Sequence, residues 1–173
     1  MKKLLAITLL SSLLFSQSSF AQDDKSKVPS PPAKVTIVIG SGATISIDYS
    51  QPAVKGRTIG KDLEPMEGKV WRTGANNATV FESDKDIVVE GKSLPAGKYG
   101  LFSIVNKGEW TIIFNKTWKQ WGAFQYKEAD DVLRVTVKGA KAEAFSERMT
   151  FTIDKSGTVS MLWGDNKVDV HIK

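Results

Sequence analysis

Short apolar segments with a two-residue period recur along most of this chain, roughly every ten positions, with turn-forming residues between them. Successive side chains of a strand point to opposite faces, so strict alternation marks a ribbon with one buried and one solvated side. Ile45, Ile47 and Tyr49 alternate with Thr44, Ser46 and Asp48. Leu133, Val135 and Val137 alternate with Arg134, Thr136 and Lys138, and Met149, Phe151 and Ile153 with Arg148, Thr150 and Thr152. Val35, Ile37 and Ile39 follow the same rule, with Val38 making the second face partly apolar. Ala78 to Phe81 and Ile87 to Glu90 read as short strands around Ser83-Asp84-Lys85-Asp86.

Two runs, Tyr99 to Val105 and Trp110 to Phe114, are nearly continuous in apolar residues, which predicts cover on both faces. Gly40-Ser41-Gly42 and Pro95-Ala96-Gly97 are turn signals, and Gly164-Asp165-Asn166 reads as a third between Val159-to-Trp163 and Val168-to-Ile172. No window holds a 3.6-residue apolar period beyond a turn of helix near Tyr126 to Asp131. The pattern predicts an all-β fold, an antiparallel β-sandwich or jelly-roll-like barrel in a single domain.

The N-terminus carries a different signal. Lys2 and Lys3 precede a short apolar stretch from Leu4 to Phe15, and Ser19-Phe20-Ala21 offers the small residues a signal peptidase reads. A spanning helix needs about 20 apolar residues, more than this run provides. Residues 1–21 are therefore expected to be a signal peptide cleaved near Ala21, which places the mature chain in the periplasm or outside the cell. Residues 22–33, with Pro29, Pro31 and Pro32, are expected to be a flexible linker ahead of a β-sandwich domain over 34–173. No cysteine is present, so packing and strand pairing must hold the fold.

Composition narrows the chemistry. Of 24 basic residues two leave with the signal, so the net charge falls from +5 to +3. No block of five or more like charges and no aromatic RNA-binding signature appears, and no nucleic-acid partner is expected. The single histidine, His171, alternates with Val170 and Ile172 and belongs on the solvent face of the last strand. One histidine and no cysteine cannot supply the usual zinc ligand set or an acyl-transfer triad, so no metal and no cofactor is expected. Asp84-Lys85-Asp86 and Ala129-Asp130-Asp131 match no calcium-loop spacing.

One segment departs from strand alternation. Lys55 to Asn77 crowds Lys55, Arg57, Trp71, Arg72, Asn76 and Asn77 among glycines, a composition that suits a shaped polar surface. Arginine offers a planar fork for carboxylates and asparagine both donates and accepts, so these residues are the candidate ligand-binding set. An aromatic-rich loop from Thr117 to Lys127 holds Trp118, Trp121, Phe124 and Tyr126. It either completes that site through Trp121 or plugs the end of the sandwich with its rings in the core. Arg57 and Arg72 have two readings as well: they face a ligand, or they clamp loop carbonyls and pair with Asp48 or Glu64.

The chain also resembles a family of exported bacterial proteins, domain-of-unknown-function family 2911. The resemblance rests on Ser30-Pro31-Pro32-Ala33, on the run from Asp48 to Arg57, and on Val70-Trp71-Arg72-Thr73-Gly74-Ala75-Asn76. It continues through Leu94 to Tyr99, Trp110 to Lys116, Gln120-Trp121-Gly122 and Asp131 to Val135. It implies export and a shared fold but carries no activity. The family pattern tends to place a glutamate after Gly-Ala-Asn where this chain has Asn77, which removes any carboxylate chemistry from that position.

The expected function is a non-enzymatic binding domain for a small polar ligand, glycan or peptide through the Arg57/Arg72/Asn76 face. One alternative is a small carboxylate-dependent hydrolase of the cell envelope, which needs two acids about 5 to 10 Å apart. The other is a structural or protein-interaction domain. Ligand identity and oligomeric state stay open.

Overall fold

The computed structural model describes residues 28–173, and the expected signal peptide lies outside the described residues. Ten strands occur among the described residues: β1 (Pro32–Val38), β2 (Thr44–Ser50), β3 (Thr79–Ser83), β4 (Ile87–Val89), β5 (Lys92–Leu94), β6 (Gly97–Asn106), β7 (Glu109–Asn115), β8 (Asp131–Lys138), β9 (Ala140–Ile153) and β10 (Thr158–His171). A 3₁₀ turn, Glu128–Asp130, replaces the turn of helix expected before β8.

Six strands form one antiparallel sheet in the order β1-β2-β3-β6-β7-β8. The long β9–β10 hairpin forms the opposing layer. The β4–β5 hairpin joins that layer through an antiparallel bridge from Val89 to Ile172, the residue after β10, with Val88 and Lys173 exchanging backbone hydrogen bonds of 2.8 and 2.9 Å. On the other edge, Val54 N–H donates to the Glu147 carbonyl and Met149 N–H to that of Pro52, so the chain after β2 docks along β9. The result is the all-β antiparallel sandwich that the alternation predicts.

Burial follows the alternation residue by residue. Ile45, Ile47 and Tyr49 of β2 meet Met149, Phe151 and Ile153 of β9 and Val159, Met161 and Trp163 of β10 in one continuous core. Edge-to-face pairs lock it: Tyr49 against Phe151 and Phe81 against Phe114, each at 5.0 Å. Each large side chain so buried is worth about 1.5 to 3 kcal/mol, which is how a cysteine-free domain holds together. A largely apolar void of about 30 Å³ remains between the layers beside Ile47, Phe81 and Phe151, with Thr73 in its lining.

The apolar runs of β6 and β7 are covered on both faces, as expected. Leu101 and Phe114 enter the main core, while Phe102 and Ile113 form a second cluster with Ala78 under Val70, Ala123 and Tyr126.

Three sequence expectations need correction. Gly164-Asp165-Asn166 is no turn, because β10 runs unbroken through it to His171. Its register against β9 shifts on both sides of Gly164, which takes φ +59°, so the segment is a bulge that kinks one long strand. The ladder of β1 begins at Pro32, paired with Ser50, and so takes in the last two residues assigned to the linker. A short strand after the Glu90-Gly91 turn, β5, has no apolar alternation to announce it and went unread.

Candidate functional site

Between β2 and β3 the chain makes isolated contacts with strands that are paired elsewhere. Trp71 forms an antiparallel bridge to Ser103 of β6, exchanging bonds of 2.8 and 2.9 Å. Thr79 of β3 pairs with Leu101 two residues along the same strand. Residues 72–78 are thus a loop thrown out of an otherwise straight edge, and this excursion carries the candidate residues.

Buried hydrogen bonds shape the loop. Trp71 Nε1 donates to the Gly74 carbonyl at 3.1 Å, Thr79 Oγ1 to the Thr73 carbonyl at 2.7 Å, and Thr73 Oγ1 to Ser103 Oγ at 3.0 Å. Gly74 is required by space: a Cβ there would lie 2.7 Å from Thr79 Oγ1 and 3.3 Å from the Ser50 carbonyl oxygen. Thr73 and Asn76 take φ of +49° and +59°, and Lys55 on the neighbouring turn takes +47°. A β-branched residue in this region is a true outlier, costing about 1 to 3 kcal/mol, and such strain gathers where a site is held in shape.

A cleft of about 250 Å³ opens beside the loop. Lys55, Arg57, Glu64, Trp71, Arg72 and Trp163 are among its walls, with Pro29 and Ser30 on one side. The rings of Trp71 and Trp163 stack at 5.7 Å and 16°. Asn76 braces the rim by donating from Nδ2 to the Ser30 carbonyl at 3.2 Å.

The two arginines of this cleft differ in role. Arg57 donates from Nε to the Val54 carbonyl at 3.2 Å and from an Nη to that of Ala53 at 2.9 Å, the loop-clamping arrangement. Arg72 Nε is buried without a hydrogen-bond partner among the described residues. Burial pulls its pKa below the ordinary arginine value, and the nearby Glu64 charge opposes that pull without overcoming it. Glu64 spends one carboxylate oxygen on the Met66 N–H, at 2.8 Å. A second donor in the same walls, Trp163 Nε1, is also buried and unpartnered. Each orphaned donor costs about 1 to 3 kcal/mol of desolvation and calls for an explanation.

Asn77 and Trp121 belong to a different place. They bridge to each other and line a separate groove of about 310 Å³ with Trp118, Lys119 and Gln120. The loop from Thr117 to Lys127 follows neither reading as a whole: Trp121 does not complete the cleft, and only part of the loop covers the core. Tyr126 packs against Phe102 at 5.1 Å and covers the second core cluster, whereas Trp121 and Phe124 are 59% and 84% exposed. Lys98 Nζ sits 5.6 Å from the centre of the Trp118 ring. The structure therefore gathers Lys55, Arg57, Trp71 and Arg72 in one cleft, sets Asn76 on its rim, and separates Asn77 and Trp121. Trp163 was missed by sequence reasoning, because its alternation marks it only as core.

The remaining polar candidates have structural partners. Asp84 accepts from the Thr44 N–H at 2.7 Å, and this bond and its neighbours lower its pKa. Asp86 accepts from the Ala96 N–H at 2.7 Å, and Asp48 and Glu82 pair with Lys34 and Lys98. His171 is exposed at the end of β10. No group of three or more His, Asp or Glu residues able to hold a metal occurs among the described residues. No helix among them is long and apolar enough to cross a membrane.

Comparison with known proteins gives one match. A family model described as "Protein of unknown function (DUF2911)" covers residues 30–172. No curated protein and no solved structure matches the chain.

Proposed function

The chain belongs to the DUF2911 family, and we propose that it is an exported, non-enzymatic binding domain whose ligand is a small polar molecule, glycan or peptide. The ligand occupies the cleft between the Trp71–Asn76 loop and the Lys55–Arg57 turn. The observation that carries this reading is Arg72: the residue contributes to the wall of an open cleft, its Nε lies beneath the surface without a partner, and its loop is strained into shape. A clamp would have its donors satisfied, as Arg57 does nearby. Glu64 is the one carboxylate in the cleft walls, whereas glycoside-type hydrolysis needs an opposed pair. That contrast favours binding over the hydrolase alternative.

A second reading has its own support. Trp121 and Phe124 present exposed rings beside Asn77, an arrangement that suits a protein-interaction surface.

A thermal-shift screen against glycans, peptides and metabolites tests the binding reading. A ligand at a hundredfold excess over its Kd stabilises by about 2.7 kcal/mol, a rise of several degrees. Arg72→Lys keeps the charge and loses the fork. The expected outcome is unliganded melting within about a degree of the parent and no ligand-induced rise. A variant that melts several degrees lower, from a parent that responds to no compound, would make Arg72 a clamp and end the proposal.

A further inference from the structure

We infer that the cleft recognises a carboxylate carried on a small apolar body, a free acid or the C-terminal residue of a peptide; this rests on the binding reading above. Among the described residues two buried side-chain atoms lack a hydrogen-bond partner, Arg72 Nε and Trp163 Nε1; both residues contribute to the walls of this one cleft, and both atoms lie beneath its accessible surface, so an acceptor meets them only when the wall shifts on binding. Guanidinium and indole nitrogens donate and never accept, so the missing partner is an acceptor. Hydroxyl and amide oxygens also accept, and charge decides among them. Lys55, Arg57 and Arg72 stand against Glu64 in the walls and against Glu147, which accepts from the Lys55 N–H at 2.8 Å, leaving a net positive charge around a partly desolvated guanidinium. The hydrogen bonds that Arg57 gives to backbone carbonyls do not neutralise it. An anionic acceptor therefore gains more here than a neutral one, and charge-assisted bonds are about twice as strong as neutral pairs.

The rest of the lining describes what carries the anion. The Trp71–Trp163 stack, Pro52, Leu63 and Ala75 make much of the wall apolar. At about 250 Å³ the space lies below the range of about 300 to 1,000 Å³ that takes a drug-sized ligand. It suits one acylated amino acid or one terminal residue. A free phosphate would leave the apolar part of the wall unused.

The indole N–H resonances of the protein read this directly. Five tryptophans give five such signals, and Trp163→Phe identifies the one in the cleft. The probes are N-acetylleucine against N-acetylleucinamide, a leucine-ending pentapeptide as acid and as amide, inorganic phosphate, and a neutral oligosaccharide. The acids should shift the Trp163 signal saturably, with the matched amides at least about tenfold weaker. Arg72→Gln should abolish the response while leaving the other four indole signals in place, which shows that the fold survives. A free acid that binds as well as the peptide acid identifies the small-acid source, and a preference for the peptide identifies the terminus. Equal binding of acid and amide, or tighter binding of phosphate, would overturn the carboxylate assignment and leave a ligand cleft standing. So would a response to the oligosaccharide alone. Silence from every probe at millimolar concentration would remove both this inference and the binding reading.

Discussion

Arg72 and Arg134 are both partly buried arginines in a small β-sandwich, and their surroundings differ in kind. Arg134, on β8, donates from Nε to Asp131 at 2.6 Å and from an Nη to the Tyr126 hydroxyl at 2.7 Å, and pairs with Glu128 at 3.3 Å. Asp131 in turn accepts from Tyr126 and from Nδ2 of the buried Asn115. Every strong donor in that corner has an acceptor. Partial burial acts to lower the pKa of Arg134, but its hydrogen bonds to Asp131 and Tyr126 outweigh it and the pKa rises. At Arg72 burial prevails, the pKa falls, and one donor has no partner. Pairing that overcomes desolvation is the mark of a clamp, and desolvation without pairing marks a group held for something else.

The comparison breaks most readily at Arg134. Arg134→Ala strands Asp131, whose side chain is 8% exposed. Losing one partner of a buried pair costs about 3 to 5 kcal/mol, reduced to about 2 to 4 here because Arg134 is itself a third exposed. Thermal melting should fall by about 5 to 15 °C. A fall of less than a degree would mean that the corner is not a clamp.

Gly74→Ala should come next. The new Cβ meets Thr79 Oγ1 at 2.7 Å inside the loop that presents Arg72, and overpacking of this kind costs about 1 to 3 kcal/mol. Denaturant unfolding would measure it, and the same variant should weaken any ligand response because the loop must shift.

The Tyr126 hydroxyl gives a pH signature of the closed corner. Burial, then the hydrogen bond to Asp131, pushes its pKa from an ordinary 10.0 to about 12. A raised pKa means that folding gains the full contribution below about pH 10 and loses it as the pH climbs to about 12. Stability should therefore decline over that window, and Tyr126→Phe should flatten the decline. Absorbance titration of the phenolate checks it: a tyrosine at position 126 that ionises near pH 10 would contradict the network.

The smallest expected effect on stability belongs to Arg72. Arg72→Met removes a desolvated charge and an orphaned donor together and keeps an apolar stem of similar length. Melting should stay within about a degree or rise slightly. A loss as large as that of Arg134→Ala would erase the difference between the two arginines.

Much of the architecture was readable because strand alternation is local. Ile45, Ile47 and Tyr49, or Met149, Phe151 and Ile153, declare their buried face without reference to any partner. Gly164-Asp165-Asn166 misled for the same reason. Its turn chemistry is genuine, yet Ser146 and Lys141 on β9 supply pairing partners that carry β10 straight through. The Lys55–Asn77 segment stood out by composition, and four of its candidate residues, Lys55, Arg57, Trp71 and Arg72, do share a cleft. Its division between two grooves follows from the Trp71–Ser103 bridge, a pairing between residues 32 apart that no local pattern records.

Alternation and turn residues alone were enough to dictate an antiparallel β-sandwich without disulfides, because a two-residue period has one low-energy way to hide its apolar face. The roles of the arginines were beyond that reach. Arg72 and Arg134 each have a carboxylate within eight residues along the chain, Glu64 for one and Asp131 for the other. Only packing decided that Asp131 lies within hydrogen-bonding distance of its guanidinium, that Glu64 turns to a backbone amide, and that Trp163 is brought from a distant strand to the wall beside Arg72. Hydrogen bonds depend on distances of a few tenths of an ångström, and those are set by the whole fold.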